Sequence, residues 1–445
     1  MGALPGQSSR PTGVFDPHHP PDQALINACV HCGFCLPTCP TYRLWGQEMD
    51  SPRGRIYLMK LGLQGEIAID ATVTEHFDAC LGCVACVTAC PSGVQYGALI
   101  EATRTQLERI RKRRLGDRAF RGMLLRLFPY PRRLRVAAVA AWTYQQLRIG
   151  RLLRGTGLFR HLPDKVRALE ELLPTVHFRD LRGRITTSEP AAGSAGMRVG
   201  MVTGCIQAVF FAGVNRATAR VLAAEGCEVV IPRGQGCCGA ISSHAGDEAG
   251  ALAQARRMIA TFEEAAVERV VINAAGCGAA LKDYGHLLRD DPDWAERAAS
   301  FSAKVSDITE FLDELPAHAP RHSIAARAVY ADACHLAHAQ GIRSQPRRQL
   351  RAIPGLTVAD IADTEICCGS AGTYNLVRTE AAEELGRRKV AEILHAAPDV
   401  IVTANPGCAL QIKRHLPPGR SPIPVLHPVE LIDASIRGVD PFLTG

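Results

Sequence analysis

Three patterns of apolar and polar positions succeed one another along the chain. From Met197 onward, short apolar runs alternate with amphipathic stretches: RVGMV, an Ala-rich helix to Glu225, CEVVI, a helix from about Asp247 to Glu268, then RVVIN. The order recurs as AVYAD, a helix near Ala339–Leu350, LTVADI, a helix from Glu380 to Ala396, and DVIVT. Strands of this kind alternating with helices predict parallel α/β units, here in two copies. Residues 104–185 are Arg-rich, cysteine-free and helical in propensity, residues 21–103 carry closely spaced cysteines, and residues 1–20 read as a Pro/Gly-rich flexible leader. The small-residue stretch TTSEPAAGSAG (186–196) reads as a linker, so the predicted α/β copies span 197–320 and 321–445. The fold class expected is a multidomain α+β protein: a helical N-terminal domain, a basic helical connector and a duplicated parallel α/β domain.

Composition narrows the class. With 445 residues, 47% hydrophobic and 21% charged, the chain can bury several cores, which excludes disorder, a collagenous repeat or a small disulfide scaffold. Seventeen cysteines, an odd number in tight clusters, favour metal or cluster ligation in a reducing compartment over a disulfide framework. The net charge of +7 is unevenly distributed. From Arg104 to Arg160 there are 16 basic residues and two acidic ones, Glu108 and Asp117, so the rest of the chain is net negative. The start lacks the apolar core of a signal peptide, and the apolar run Val136–Trp142 is far short of the roughly 18 residues that span a bilayer. The expected location is cytoplasmic, with peripheral contact at the inner face of the membrane as a hypothesis for the basic segment.

Chemistry concentrates in two cysteine runs. Cys29, Cys32, Cys35 and Cys39 form C-x2-C-x2-C-x3-C-P with Pro40, and Cys80, Cys83, Cys86 and Cys90 repeat the spacing with Pro91. This is the bacterial ferredoxin run, whose fourth cysteine ligates the other cluster. It predicts two [4Fe-4S] clusters, one held by Cys29, Cys32, Cys35 and Cys90, the other by Cys80, Cys83, Cys86 and Cys39. A pair of tetrahedral zinc sites is the competing reading, but zinc sites draw on two separated cysteine pairs.

The α/β copies carry a second pattern. Cys205 precedes Cys237–Cys238–Gly239 by 32 positions and Cys277 follows, while Cys334 precedes Cys367–Cys368–Gly369 by 33 and Cys408 follows. The endings KVSDITEFLDEL and VLHPVELIDAS align Glu310 with Glu430 and Asp313 with Asp433, which marks a duplication. Each cysteine lies just beyond a predicted strand, at the sheet edge where ligands bind. The eight could ligate a further cluster or metal, form a redox-active disulfide, or be buried; Cys227, unmatched in the repeat, is read as buried. His244, His335 and His338 lie near these loops and are read as solvated or structural. No dinucleotide, P-loop, zincin or nucleophile-elbow motif is present, so no catalytic residue is assigned.

CVHCGFCLPTCPTYRLWGQEMDSPRGRIYLMK (29–60), CLGCVACVTACPSGVQYG (80–97) and the two Cys-Cys-Gly domains together resemble the iron-sulfur subunits of bacterial glycolate oxidases, over about residues 22–440. The resemblance implies an electron relay. A partner subunit would oxidise glycolate to glyoxylate on FAD, and this chain would pass the electrons to a membrane acceptor such as quinone. The Cys-Cys-Gly domains also resemble the heterodisulfide reductase subunit that holds noncubane clusters. That pattern ends in C-x-x-C, and here Ala280 and Gln411 stand where the fifth cysteine belongs.

Within the relay class, D-lactate or glycerol 3-phosphate are the rival substrates. Outside it stand a self-contained thiol or heterodisulfide reductase and a nucleic-acid protein with structural clusters. The last is disfavoured because the basic segment has neither a recognised binding fold nor stacking aromatics.

Overall fold

The computed structural model describes residues 13–111, 113–176, 188–190, 196–417 and 423–442. Its contacts divide into two compact units, Met1–Arg113 with Ser243–Asp247, and Arg114–Ser242 with Glu248–Gly445.

The first unit is helical. Ser51 caps the helix Pro52–Gln64 through its hydroxyl, which accepts from Gly54 N–H, and Pro52 supplies a preset first turn; Gly65 in the left-handed region ends it. This helix packs with Ala71–Ala79 and Tyr96–Ile110 around Ile56, Met59, Phe77, Leu99 and Ile100, all at most 4% exposed. Residues 1–12 of the expected leader lie outside the described residues, but 13–20 are held in place. Asp16 N–H donates to Gln106 Oε1 (2.9 Å), the Asp16 carboxylate meets Arg109 Nε (2.8 Å), and Val14 N–H donates to Gly62 O (3.0 Å). Composition hid this because the partners lie far along the chain, 90 residues away for Gln106.

The same ion pairs change the reading of the basic cluster at 109–114. Arg111 and Arg113 both reach Asp78 (3.2 and 3.1 Å), and Arg113 also pairs with Glu108. Three of its arginines therefore hold this unit together.

The second unit opens with connector helices, including Leu115–Leu127, Pro131–Gln146 and Asp164–Glu171. Most of the predicted linker (186–196) lies outside the described residues, though Ser188–Glu189 form a short strand, β1. Two sheets follow. The first contains β2 (Arg198–Met201), β3 (Glu228–Val230), β4 (Arg269–Ile272) and β5 (Val305–Asp307) in the order β1-β3-β2-β4-β5, parallel except for β1. The second contains β6 (Ala326–Tyr330), β7 (Leu356–Ala359), β8 (Val400–Val402) and β9 (Val425–Leu426) in the order β7-β6-β8-β9, all parallel. Without β1 the two orders are the same, as a duplication requires. The strands are short apolar runs because both faces are covered.

The copies pack through reciprocal exchange. Helix Ala212–Ala224 of the first lies against Pro428–Arg437 of the second, and Ile308–Glu314 of the first against Ser344–Arg351 of the second. Arg220 reaches Asp433 (2.6 Å) and Arg348 reaches Asp313, so the two aspartates matched in sequence each receive an arginine from the opposite copy. The matched glutamates also have one role. Glu310 and Glu430 complete capping boxes with Asp307 and His427 at the starts of the last helices. Val199, Met201, Val400, Val402, Phe311 and Val429 belong to one shared core, which fixes how the copies present their cysteine-bearing edges.

Candidate metal and thiol centres

In both ferredoxin-type runs the backbone turns in the same way. His31 and Gly82, the second residue of the first spacer, have φ of +53° and +65°; Gly33 and Val84, the first residue of the next, have +90° and +53°. A β-branched residue at positive φ is strained, and such strain is retained where the surroundings impose it. Here it wraps three cysteines around a common point.

Cys29, Cys32, Cys35 and Cys90 line one largely apolar cavity, together with Cys86, Ile56, Pro91, Val94 and Tyr96. Three thiols from one run and the fourth from the other thus surround a common space, a donor set that fits a cubane cluster. Burial raises the Cys29 thiol and pushes Cys35 up to about 11, so occupation by metal must displace protons from them. Cys32 is exposed, and Val30 and Phe34 beside it are 68% and 67% exposed, so this centre faces the unit's surface.

The other group is buried: Cys39, Cys80, Cys83 and Cys86 are each at most 8% exposed. Burial and the neighbouring Cys83, Cys80 and Cys39 raise the Cys86 thiol well above its ordinary value. Cys80 goes the other way. Burial would raise it, but the guanidinium charges of Arg55 and Arg104, the Gly82 N–H (3.3 Å) and the Tyr96 hydroxyl (3.7 Å) outweigh that and lower it. Arg55 is wholly buried, and it donates to Thr41 Oγ1, Asp50 O and His76 O at 2.6–3.1 Å. The SPRGR stretch therefore puts a cation beside a thiolate group. This donor set also fits a cluster, and the guanidinium charges beside it favour its reduced state.

In the α/β copies the cysteines converge as expected at the carboxyl ends of the strands. Cys205 and Cys237 Sγ lie 3.6 Å apart, and the Cys238 thiol is raised by its neighbours Cys237 and Cys277 and by burial. In the second copy Cys334 and Cys367 Sγ are 4.0 Å apart, and Cys368 contacts both Cys367 and Cys408. Each copy thus assembles one four-thiol pocket, and Gly239 and Gly369, both at φ +89°, let the helix behind pass directly under the loop. Cys227 is 2% exposed in the apolar core, as its unmatched position implied.

The pockets adjoin. Ala275 N–H donates to Ala404 O (3.1 Å), Gly276 N–H to Asn405 Oδ1 (3.3 Å), and Asn405 Nδ2 to Cys408 Sγ (3.5 Å). Gly276 immediately precedes Cys277, so one asparagine side chain links the two thiol sets.

Sequence reasoning missed several residues. Sequence alone makes His335 solvated or structural, yet its Nδ1 lies 3.5 Å from Cys334 Sγ and helps hold that thiol below its ordinary value, after the larger effect of Cys367. His338 is indeed structural, buried against Glu365 O and Arg343. Arg55, Arg104, Tyr96, Asn405 and Lys389 were not singled out. A signal existed for Lys389 alone: it interrupts the apolar stripe Ala382, Leu385, Val390, Ile393 on the buried face of its helix.

The comparisons agree with this layout. Residues 25–94 match a 4Fe-4S dicluster domain, 199–282 and 328–413 match a cysteine-rich domain in two copies, and 116–173 match the linker region of glycolate oxidase iron-sulfur subunits. The chain is 40% identical over 397 residues to the "Probable glycolate oxidase iron-sulfur subunit" of Bacillus subtilis (88% of this chain, 89% of that one). It is 35% identical over 418 residues to the glycolate oxidase iron-sulfur subunit of Escherichia coli (93% and 95%). Lactate utilization protein A of Bacillus licheniformis is 32% identical over 239 residues, 54% of this chain and all of that one.

Proposed function

From the premise that the chain belongs to the family of glycolate oxidase iron-sulfur subunits, we propose that it relays electrons from an FAD-bearing partner that oxidises glycolate to glyoxylate, toward a membrane acceptor such as quinone. The observation that carries this reading is the arrangement of Cys29, Cys32, Cys35 and Cys90 around one surface-facing cavity, with Cys39, Cys80, Cys83 and Cys86 buried in the same unit. We assign one [4Fe-4S] cluster to each set. When bound, the clusters supply one-electron transfer, which divides the two electrons of a flavin into single steps.

The protein's own residues do the rest. Val30 and Phe34 offer an apolar contact at the exposed centre, where an electron-donating partner can approach. Arg55, Arg104 and Tyr96 stabilise negative charge at the buried centre, so electrons move inward. The two four-thiol pockets form a further redox site. Glycolate is preferred to D-lactate because the glycolate oxidase relatives match 88% and 93% of this chain, whereas the lactate utilization protein matches 54% of it. No helix among the described residues is long and apolar enough to cross a membrane, and contact with a membrane acceptor is assigned to the connector. Exposed Val136, Leu147 and Leu152 stand there among arginines.

The test is Cys83→Ser in the chain assembled with its natural partners. Glycolate should still bleach the partner flavin while electron delivery to a quinone analogue is lost. Delivery at the wild-type rate would refute the relay.

A further inference from the structure

The two four-thiol pockets share a backbone plan but differ in the side chains behind them. The glycine after each cysteine pair rests on one alanine of the helix beneath, Gly239 on Ala251 and Gly369 on Ala382, which fixes the structural register between helices Glu248–Glu264 and Thr379–His395. In that register Lys389 of the second copy corresponds to Met258 of the first. Met258 is fully buried in the apolar cluster that contains Cys237 and Cys238. The residue following the first cysteine also differs, Ile206 in one copy and His335 in the other.

Lys389 is 5% exposed. Its Nζ donates to three backbone carbonyls of the loop leading into the cysteine pair: Asp363 (3.2 Å), Thr364 and Ile366 (3.2 Å). Three acceptors around one nitrogen use all three donors of an ammonium group. A positive charge is therefore fixed behind Cys367–Cys368, with Asp332 the acidic side chain acting on it. In the first pocket the same place is filled by a thioether.

We propose that the two pockets are unequal members of a redox pair, in which the buried charge of Lys389 raises the reduction potential of the second above that of the first and makes it the place where electrons come to rest. This rests on the reading of the pockets as redox sites. Adding one electron to a thiolate-ligated centre makes it more negative by one charge. Adding two electrons to a disulfide, with fewer than two protons, likewise leaves negative charge. A fixed cation stabilises either product, the donor in both cases being the reduced ferredoxin-type clusters. The charge of Lys389 acts directly on Cys368 of the pair. The Asn405 link gives the electrons a short hydrogen-bonded route from one pocket to the other.

The full-length chain, purified without oxygen, is poised at a series of potentials. The pockets are then read separately, by EPR for paramagnetic centres and by alkylation and mass spectrometry of peptides bearing Cys205, Cys237, Cys238 and Cys277 or Cys334, Cys367, Cys368 and Cys408. The second pocket should be reduced at the higher potential. Lys389→Met should shift its equilibrium at least tenfold toward the oxidised state, about 59 mV for one electron, with the first pocket unmoved, and Lys389→Arg should restore most of the shift. The unvaried first pocket and the ferredoxin-type EPR signals report that each variant is folded. Equal midpoints in the wild-type chain, or a Lys389→Met chain with the wild-type midpoint, would overturn the inference while leaving the pockets redox-active. If neither pocket changes state at any potential, the redox reading fails and the inference with it.

Discussion

Tyr96→Phe removes one hydroxyl and leaves the ring. That hydroxyl donates to Cys80 Sγ at 3.7 Å from a side chain that is 3% exposed. Burial and the neighbouring Cys80 push the Tyr96 pKa well above its ordinary value, so the donor keeps its proton throughout the working range. A hydrogen bond to sulfur stabilises the reduced, more negative state of a ligated cluster, and its loss lowers the potential. A net value of about 0.5–1 kcal/mol suits a long, buried contact. With a tenfold change equal to 59 mV for one electron, that is about 20–40 mV. The assay is an EPR-monitored redox titration of the anaerobic chain. The signal that Cys80 supports should move down by this amount, and the signal that depends on Cys90 should stay in place. A downward shift of the Cys90-dependent signal instead, or no shift in either, would refute the placement of Tyr96 over the buried centre.

Two further outcomes concern stability. Gly369→Ala forces a Cβ to 2.7 Å from Ala382 O at φ +89°, whereas the matched Gly239→Ala meets Ala251 O at 3.4 Å. The left-handed conformation costs both about 1–2 kcal/mol; the backbone overlap should take Gly369→Ala to about 3 kcal/mol or more, and urea denaturation of each variant that gave equal losses would contradict the packing described. His427 is buried, and burial lowers its pKa to about 3. Between its unfolded value of 6.5 and about 3 the unfolded chain holds the extra proton, so stability should fall as the pH is lowered across that window, by up to about 1.4 kcal/mol per pH unit. Asp307, raised by burial to about 6, has the opposite slope from 3.8 to about 6, because there the folded chain holds the extra proton. Denaturant midpoints across pH 3–7 should therefore fall more steeply on acidification in Asp307→Asn than in wild type, and a shallower fall would contradict the assignment.

The chemistry was legible where it depends on spacing along the chain. Two C-x2-C-x2-C-x3-C-P runs mark the cysteines as two groups, and the structure lines one cavity with Cys90 and with Cys29, Cys32 and Cys35 of the distant run, both loops turning alike at His31, Gly33, Gly82 and Val84. The duplication was legible for a similar reason, since strand, cysteine and capping glutamate recur at one period. What tunes the centres was not legible. Arg55 reads as one more polar residue of a helix until its burial against Asp50 and His76 is seen, and Asn405 matters only because the two copies face each other. The pairing of the basic run at 109–114 was not legible either, because Asp16 and Asp78 neutralise much of it from distant positions.

The relay itself is tested most directly by EPR of the anaerobic complex, frozen before and after glycolate is added. Signals of reduced clusters should appear with glycolate, and Cys39→Ser and Cys90→Ser should each remove a different one. Signals that appear with D-lactate but not glycolate would contradict the substrate, and cluster signals that stay unchanged while the partner flavin is reduced would contradict the relay.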